Sequence, residues 1–141
     1  WEDLGADIDY FVAGAGSGGT YAGIARYLKE QKRDIKGILA DPVGSTMGGG
    51  EHGDYDIEGI GNDFIPETMD MSLVDDVIKV RDDEAFTETR LLARNEGIIA
   101  GSSSGANLAA VRKLAMRIQR GTIVTVLPDR GERYLSKNLF L

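Results

Sequence analysis

Tyr10-Phe11-Val12-Ala13-Gly14-Ala15-Gly16-Ser17-Gly18-Gly19-Thr20-Tyr21 joins an apolar run, a glycine turn and the opening of a helix in immediate succession. The apolar run reads as a strand. The glycines allow a tight turn with close backbone approach, and a helical pattern then runs from Gly18 to Gln31. A strand that turns through glycines into a helix aims several backbone N–H groups at one point. That point also feels the positive end of the helix dipole. The stretch predicts a phosphate cradle, and the remaining residues must decide which phosphate.

Further strand candidates are Lys36–Ala40, Val77–Val80 and Thr122–Leu127, and further helix candidates are Asp83–Asn95 and Ser104–Gln119. Val- and Ile-rich runs bounded by Gly, Asp or Pro, alternating with amphipathic helices, predict an α/β fold. The expected form is a three-layer α/β/α arrangement with a mainly parallel sheet of about four strands. In the last helix Leu108, Val111, Ala115 and Ile118 recur at helical spacing, which predicts a core stripe. Glu96-Gly97-Ile98-Ile99-Ala100 reads as a helix C-cap followed by a short extended run. The long break from Pro42 to Ser72 holds Gly48-Gly49-Gly50 and few periodic positions. A loop of this length is expected to be functional or a lid, the alternative being a solvated excursion.

The chain has 141 residues, the size of one ordinary domain, and its 42% hydrophobic content suffices for a core. A formal net charge of -7 argues against nucleic acid or an anionic membrane as partner. The chain has no cysteine, which excludes a disulfide framework and a thiolate metal site. The single histidine, His52, lies in a Gly-rich loop and reads as a surface residue, so no metal site is expected. No apolar stretch approaches the ~20 residues that span a bilayer, and no signal pattern opens the chain. A cytoplasmic location is therefore expected. Trp1-Glu2-Asp3-Leu4-Gly5 reads like the end of a helix already under way, as in a piece of something longer.

Gly14, Gly16 and Gly19 fit G-x-G-x-x-G, and Asp41 closes the next strand at about the right distance to hold a ribose hydroxyl pair. Taken alone, this is the fingerprint of an NAD-binding Rossmann domain of an oxidoreductase. A mere structural turn also wants glycines. Two details count against a dinucleotide. Ser17 and Thr20 place hydroxyls in and beside the cradle, which suits a terminal phosphate monoester with three free oxygens and a charge near -2. Asp41 is followed by Pro42, which fits a residue that only ends its strand.

A second cluster, Gly101-Ser102-Ser103-Ser104-Gly105, opens the last helix. One of these serines suffices to cap the helix start, which leaves a neighbour to face a pocket and hydrogen-bond a ring nitrogen. A third, Leu127-Pro128-Asp129, stands at the carboxyl end of the last strand, where ligands of open parallel sheets bind. The first and last strands thus bring their loops to one rim, near the serine-bearing helix.

These motifs occur in a telling order. Gly16-Ser17-Gly18-Gly19-Thr20 is followed by Glu58-Gly59-Ile60-Gly61 with Asp63-Phe64-Ile65-Pro66. Then come Gly97 with Gly101-Ser102-Ser103-Ser104-Gly105, and Leu127-Pro128-Asp129 with Glu132-Arg133-Tyr134-Leu135-Ser136-Lys137. Over nearly its whole length the chain resembles the C-terminal half of the cysteine synthases and cystathionine β-synthases, the fold-type II enzymes that use pyridoxal 5'-phosphate. The resemblance implies that Gly16, Ser17, Gly18, Gly19 and Thr20 bind the cofactor phosphate and that Ser103 bonds the pyridine nitrogen. It implies that Gly59, Ile60 and Gly61 line the substrate side. A serine at the ring nitrogen leaves the ring largely neutral and a weaker electron sink than an aspartate would. That suits β-elimination and β-replacement on a serine-like substrate.

Asp41-Pro42-Val43-Gly44-Ser45 and Gly61-Asn62-Asp63-Phe64 look more like the cystathionine β-synthase branch than plain cysteine synthases. The resemblance further implies a small amino-acid substrate and a homodimeric parent. It implies that residues 1–141 form the cofactor-phosphate-binding part of the large domain, without the N-terminal half. The family's Schiff-base lysine, in a short S-x-K motif of that other half, has no match here, so no catalytic residue is expected in this chain. Lys29 and Lys32 read as solvated charges, Lys36 begins a strand, and Lys113 is expected to face out of the last helix. Catalysis by the chain alone is not expected. A non-catalytic relative serving as a binding module is the other reading of a missing lysine.

Overall fold

The computed structural model describes residues 1–131. Four strands form one parallel sheet: β1 (Tyr10–Ala13), β2 (Lys36–Pro42), β3 (Asp76–Val80) and β4 (Ile123–Thr125), in the order β3-β2-β1-β4. Three helices accompany them: α1 (Gly19–Gln31), α2 (Asp82–Glu96) and α3 (Ser102–Ala115). Val12 stands beside Ile38 and Ala40 beside Ile78 in the register. These four, with Val80, face a core shared with Ala85 of α2 and Ala106, Ala110 and Leu114 of α3. Phe11, Ala13 and Leu39 point the other way, toward Tyr21, Ala25 and Leu28 of α1. Alternation along each strand thus feeds two cores, so the sheet is covered on both faces and its strands read as continuous apolar runs. The three-layer α/β/α fold is as expected.

β1 lies between β2, reached through α1 on one face, and β4, reached through α2 and α3 on the other. The chain therefore reverses its winding between β1 and β4. The loops that leave their carboxyl ends diverge there and open a crevice, the usual ligand position in such sheets.

Two expectations about elements need correction. β2 continues through Asp41 to Pro42, so Asp41 lies inside the strand rather than at its end. The stripe Leu108, Val111, Ala115, Ile118 is not the core face of α3. Ala115 is exposed, Ile118 lies beyond the helix, and Val111 and Ile118 only flank the core. The buried face consists of Ser102–Asn107, Ala109, Ala110 and Leu114. Small residues let α3 approach its neighbours closely. A Cβ on Gly105 would lie 2.0 Å from the Thr89 hydroxyl and 2.1 Å from the Ala85 carbonyl of α2.

Gly97, at φ +69, ends α2 as a left-handed C-cap, as the pattern there suggests, and Ala100 then bridges antiparallel to Arg130. Lys29, Lys32 and Lys113 are not idle surface charges. Lys29 meets Asp75 and the Ile35 carbonyl, and Lys32 donates to the carbonyls of Ala6 and Ile8. Lys113 joins α3 to the Lys79 carbonyl and to Glu84 of α2.

Candidate cofactor-phosphate site

β1 ends at Ala13, and Gly14–Gly18 turn the chain into α1. Gly18, the residue before the helix, has φ +89, and a Cβ there would collide with the backbone of Met69 at 2.7–2.8 Å. The first hydrogen bond of the helix runs from the Ala22 N–H to the Gly18 carbonyl (2.9 Å), so the amides of Gly19, Thr20 and Tyr21 precede the ladder. No side chain caps this end and no acidic residue stands in its first turn. The Ser17 hydroxyl lies 3.5 Å from the Gly19 nitrogen, at the outer limit of a hydrogen bond. The helix thus presents its partial positive charge to the space in front of it, uncompensated by carboxylates of its own.

That space is a cavity of about 160 Å³. A single water needs only ~10–15 Å³, so the cavity is shaped for something larger. Gly14–Gly18 and Thr20 form one wall, Gly59 and Ile60 another, Ser103 and Asn107 of α3 a third, and Val126, Pro128 and Asp129 after β4 a fourth. The crevice between β1 and β4 is therefore where these motifs meet. Glycine lets two of the walls touch: a Cβ on Gly16 would lie 2.5 Å from the Gly59 carbonyl oxygen. A methyl group on Gly59 would in turn lie 3.6 Å from the Asp129 carboxylate and 3.9 Å from the Ser103 hydroxyl.

The three consecutive serines have three fates. The Ser102 hydroxyl accepts the Glu58 N–H at 3.0 Å. The Ser103 hydroxyl, on a residue only 1% exposed, stands in the cavity wall without a hydrogen-bond partner. The Ser104 hydroxyl is also buried and unpartnered, but Ser104 does not line the cavity. None of them caps α3. Gly101 precedes the helix with no side-chain cap, and its own N–H donates to the Asp129 carbonyl at 3.0 Å. The capping expectation fails because a glycine occupies the cap position and the serines lie one step inside the helix. A buried hydroxyl left unpaired costs about 1–3 kcal/mol, so a ligand that bonds Ser103 relieves that cost.

Of the residues expected at the site, Gly16, Ser17, Gly18, Thr20, Gly59, Ile60 and Ser103 line the cavity, and Gly19 and Gly61 do not. Gly61 stands behind the turn, donating its N–H to the Ala15 carbonyl at 2.9 Å. Asp41 is also absent from the wall. It is 1% exposed, and its Oδ2 accepts Lys79 Nζ at 2.6 Å and the Gly48 N–H at 3.0 Å. The ribose-holding role is thereby overturned, because the carboxylate is committed to an ion pair and to the glycine run.

The sequence reading missed Asn107. Its Oδ1 accepts the Gly14 N–H and its amide donates to the Val126 carbonyl, each at 2.9 Å. A signal was available, since Asn107 follows Ser103 by one helical turn in an otherwise small-residue stretch. Among the described residues no lysine lines the cavity. Among them, too, no three His, Cys, Asp or Glu side chains converge as a metal site would require. His52 is exposed and lies 2.8 Å from Asp63. No described helix is long and apolar enough to cross a membrane.

The donor set suits a phosphorylated heterocycle: backbone amides and hydroxyls at one end, an unpaired buried hydroxyl in the wall beside them. Comparison with known proteins agrees. The family model for "pyridoxal-phosphate dependent enzyme" matches residues 1–129. The chain is 48% identical to the O-acetylserine dependent cystathionine beta-synthase of Bacillus subtilis (strain 168), covering 99% of this chain and 46% of that protein. It is 46% identical to a cysteine synthase of Helicobacter pylori (strain ATCC 700392 / 26695), with 99% and 46% covered. The crystal structure of an O-acetylserine dependent cystathionine beta-synthase from Helicobacter pylori superposes with a TM-score of 0.93 at 46% identity, covering 99% of this chain and 46% of that one. The chain thus spans about half the length of these relatives.

Proposed function

The chain belongs to the pyridoxal-phosphate dependent enzyme family, and on that premise we propose that its cavity holds the cofactor by the phosphate and by the ring nitrogen. Gly16, Ser17, Gly18 and Thr20 take the phosphate through backbone amides and the two hydroxyls, and the dipole of α1 favours its charge. Gly19, the first residue of α1, adds an amide that precedes the helix ladder. Ser103 offers its hydroxyl to the ring nitrogen, and Gly59 and Ile60 close the substrate side. The observation that carries this reading is the unpartnered, buried Ser103 hydroxyl in the same cavity as the uncapped start of α1.

When bound, pyridoxal 5'-phosphate supplies a sink for electrons released at the α-carbon of an amino acid. This chain's residues position that group and tune it. A neutral hydroxyl donor at the ring nitrogen moderates the sink, which suits loss and replacement of a β-substituent. We therefore read the whole protein as a β-replacement enzyme of cysteine biosynthesis or transsulfuration. It would join serine or O-acetylserine to a thiol or sulfide, as a cytoplasmic homodimer acting on small amino acids. Residues 1–141 would be the cofactor-phosphate part of its large domain. The lysine that bonds the cofactor covalently would belong to the other half of the protein and not to residues 1–141, and the chain alone would be inactive.

Titration of the chain with pyridoxal 5'-phosphate, followed by phosphorus-31 NMR and by mass spectrometry after borohydride reduction, tests this. The expected result is a shifted phosphorus resonance with weak, reversible binding and no covalent adduct. An unshifted resonance, or a covalent adduct on any lysine of the chain, overturns it.

A further inference from the structure

The long segment after β2 does more than border the cavity. Successive residues of the cradle turn each give their carbonyl to it. Ala15 accepts the Gly61 N–H at 2.9 Å, Gly16 accepts the Asn62 side-chain amide, and Ser17 accepts the Thr68 hydroxyl. A peptide whose carbonyl is held on one side has its plane fixed. The following N–H, trans to that carbonyl, is then directed to the opposite side. Capture of the carbonyls of residues 15–17 on the outer side therefore sets where the amides of Gly16, Ser17 and Gly18 point.

Asn62 is unusually well placed for this. Its carbonyl accepts the N–H groups of Thr46 and Met47 at 2.9 and 3.1 Å and the Ser45 hydroxyl at 3.0 Å. Its own N–H donates to that hydroxyl at 3.0 Å, and Ser45 is fully buried. The backbone of Asn62 is thus immobilised before its side chain reaches out. Facing a carbonyl, which only accepts, the side chain must present its NH2 group.

We propose that Asn62 and Thr68 are positioning residues for phosphate: by holding the Gly16 and Ser17 carbonyls they pre-orient the amides that grip the anion. The inference rests on the phosphate reading of the cradle. It assigns to the far end of the Gly59–Thr68 stretch a task distinct from lining the substrate side. Pre-orientation raises affinity by removing an ordering cost from the binding step.

The test measures dissociation constants of inorganic phosphate and of pyridoxal 5'-phosphate by phosphorus-31 NMR. The proteins are the full chain and its Asn62→Leu, Thr68→Val and Thr68→Ser variants, with a thermal melt of each in the absence of ligand. One lost hydrogen bond is expected to weaken both ligands about five- to tenfold in Asn62→Leu and Thr68→Val, with Thr68→Ser close to the parent. Thr68 is exposed, so Thr68→Val should melt with the parent and report on binding even if Asn62→Leu is unstable. Parent-like affinities in the folded variants overturn the positioning role and leave the cradle intact. Weakening in Thr68→Val that Thr68→Ser does not restore also overturns it. Absence of phosphate binding to the parent overturns the cradle reading and this inference with it.

Discussion

Asn107 holds Gly14 across 93 positions of the chain, its Oδ1 accepting the Gly14 N–H at 2.9 Å. The same side chain donates to the Val126 carbonyl at 2.9 Å. One amide thus ties the exit of β1 to the exit of β4 on either side of the crevice. It also fixes the residue from which the cradle turn begins.

Asn107→Ala would leave a buried donor and a partly buried acceptor without partners and a small void at the crevice floor. The expected loss is about 2–4 kcal/mol, from unsatisfied groups and lost packing together. Urea denaturation monitored by circular dichroism measures it. A loss below about 0.5 kcal/mol, the range of an ordinary surface change, would show that the tie is not structural.

Ser103→Ala should behave oppositely. Its hydroxyl has no protein partner to lose, so stability should hold or rise, by up to the about 1–3 kcal/mol that an unpaired buried hydroxyl costs. Affinity for pyridoxal 5'-phosphate should fall several-fold while affinity for inorganic phosphate stays as it was. Paired titrations of the two ligands separate these effects. Unchanged cofactor affinity would move the ring contact to another wall, with Asp129 the neighbouring candidate.

Gly105→Ala probes the close approach of α3 to α2. The added methyl would stand 2.0 Å from the Thr89 hydroxyl and 2.1 Å from the Ala85 carbonyl, and the latter is backbone that cannot rotate away. Overpacking of this kind costs typically 1–3 kcal/mol, and a backbone contact belongs at the upper end. A thermal melt should show a drop of several degrees. An unchanged melt would mean that the helices separate freely.

Asp75 gives the fold an acid-sensitive contact. Burial opposes its ionisation. Its bond to Lys29, the 2.7 Å bond from the Gly37 N–H and the nearby charge of Lys36 outweigh that and hold its carboxyl below the usual aspartate range. A depressed folded-state pKa means that the unfolded chain takes up the proton first as pH falls. The contribution is therefore complete above the ordinary aspartate range and is lost as pH drops through the lowered value. The parent should exceed Asp75→Asn by about 1–2 kcal/mol near neutrality, with the gap shrinking below about pH 5. Urea titrations at a series of pH values would show it, and a gap that widens in acid would contradict the sign.

Much of this molecule was legible in its residues, and the failures share a cause. β1 and α1 were readable because an unbroken apolar run and a glycine turn leave few alternatives. The meeting of the cradle with Ser103 and Asp129 followed from parallel topology, which sends strand ends to one rim. The core face of α3 was misread because hydrophobicity was taken as the marker of burial. This helix instead buries Ser, Gly, Asn and Ala, whose value is their small size at a close crossing. The roles of Asn62 and Thr68 were invisible for a related reason, and Asn107 showed only its spacing from Ser103. All three act by single hydrogen bonds to the backbone of distant residues, and no periodicity encodes a bond between chain positions this far apart. Asp41 offered a ribose-holding alternative because its spacing from the glycines was suggestive, and its actual partner, Lys79, lay on a strand not yet placed beside it.

The near contact of Gly16 with the Gly59 carbonyl has a practical corollary for protein engineering. The anion grip is not a portable cassette of seven residues. Moved into another scaffold without the 59–68 stretch that backs it, the turn would keep its glycines and lose its shape. A successful graft must carry both strips of backbone, together with the spacing that sets them against each other.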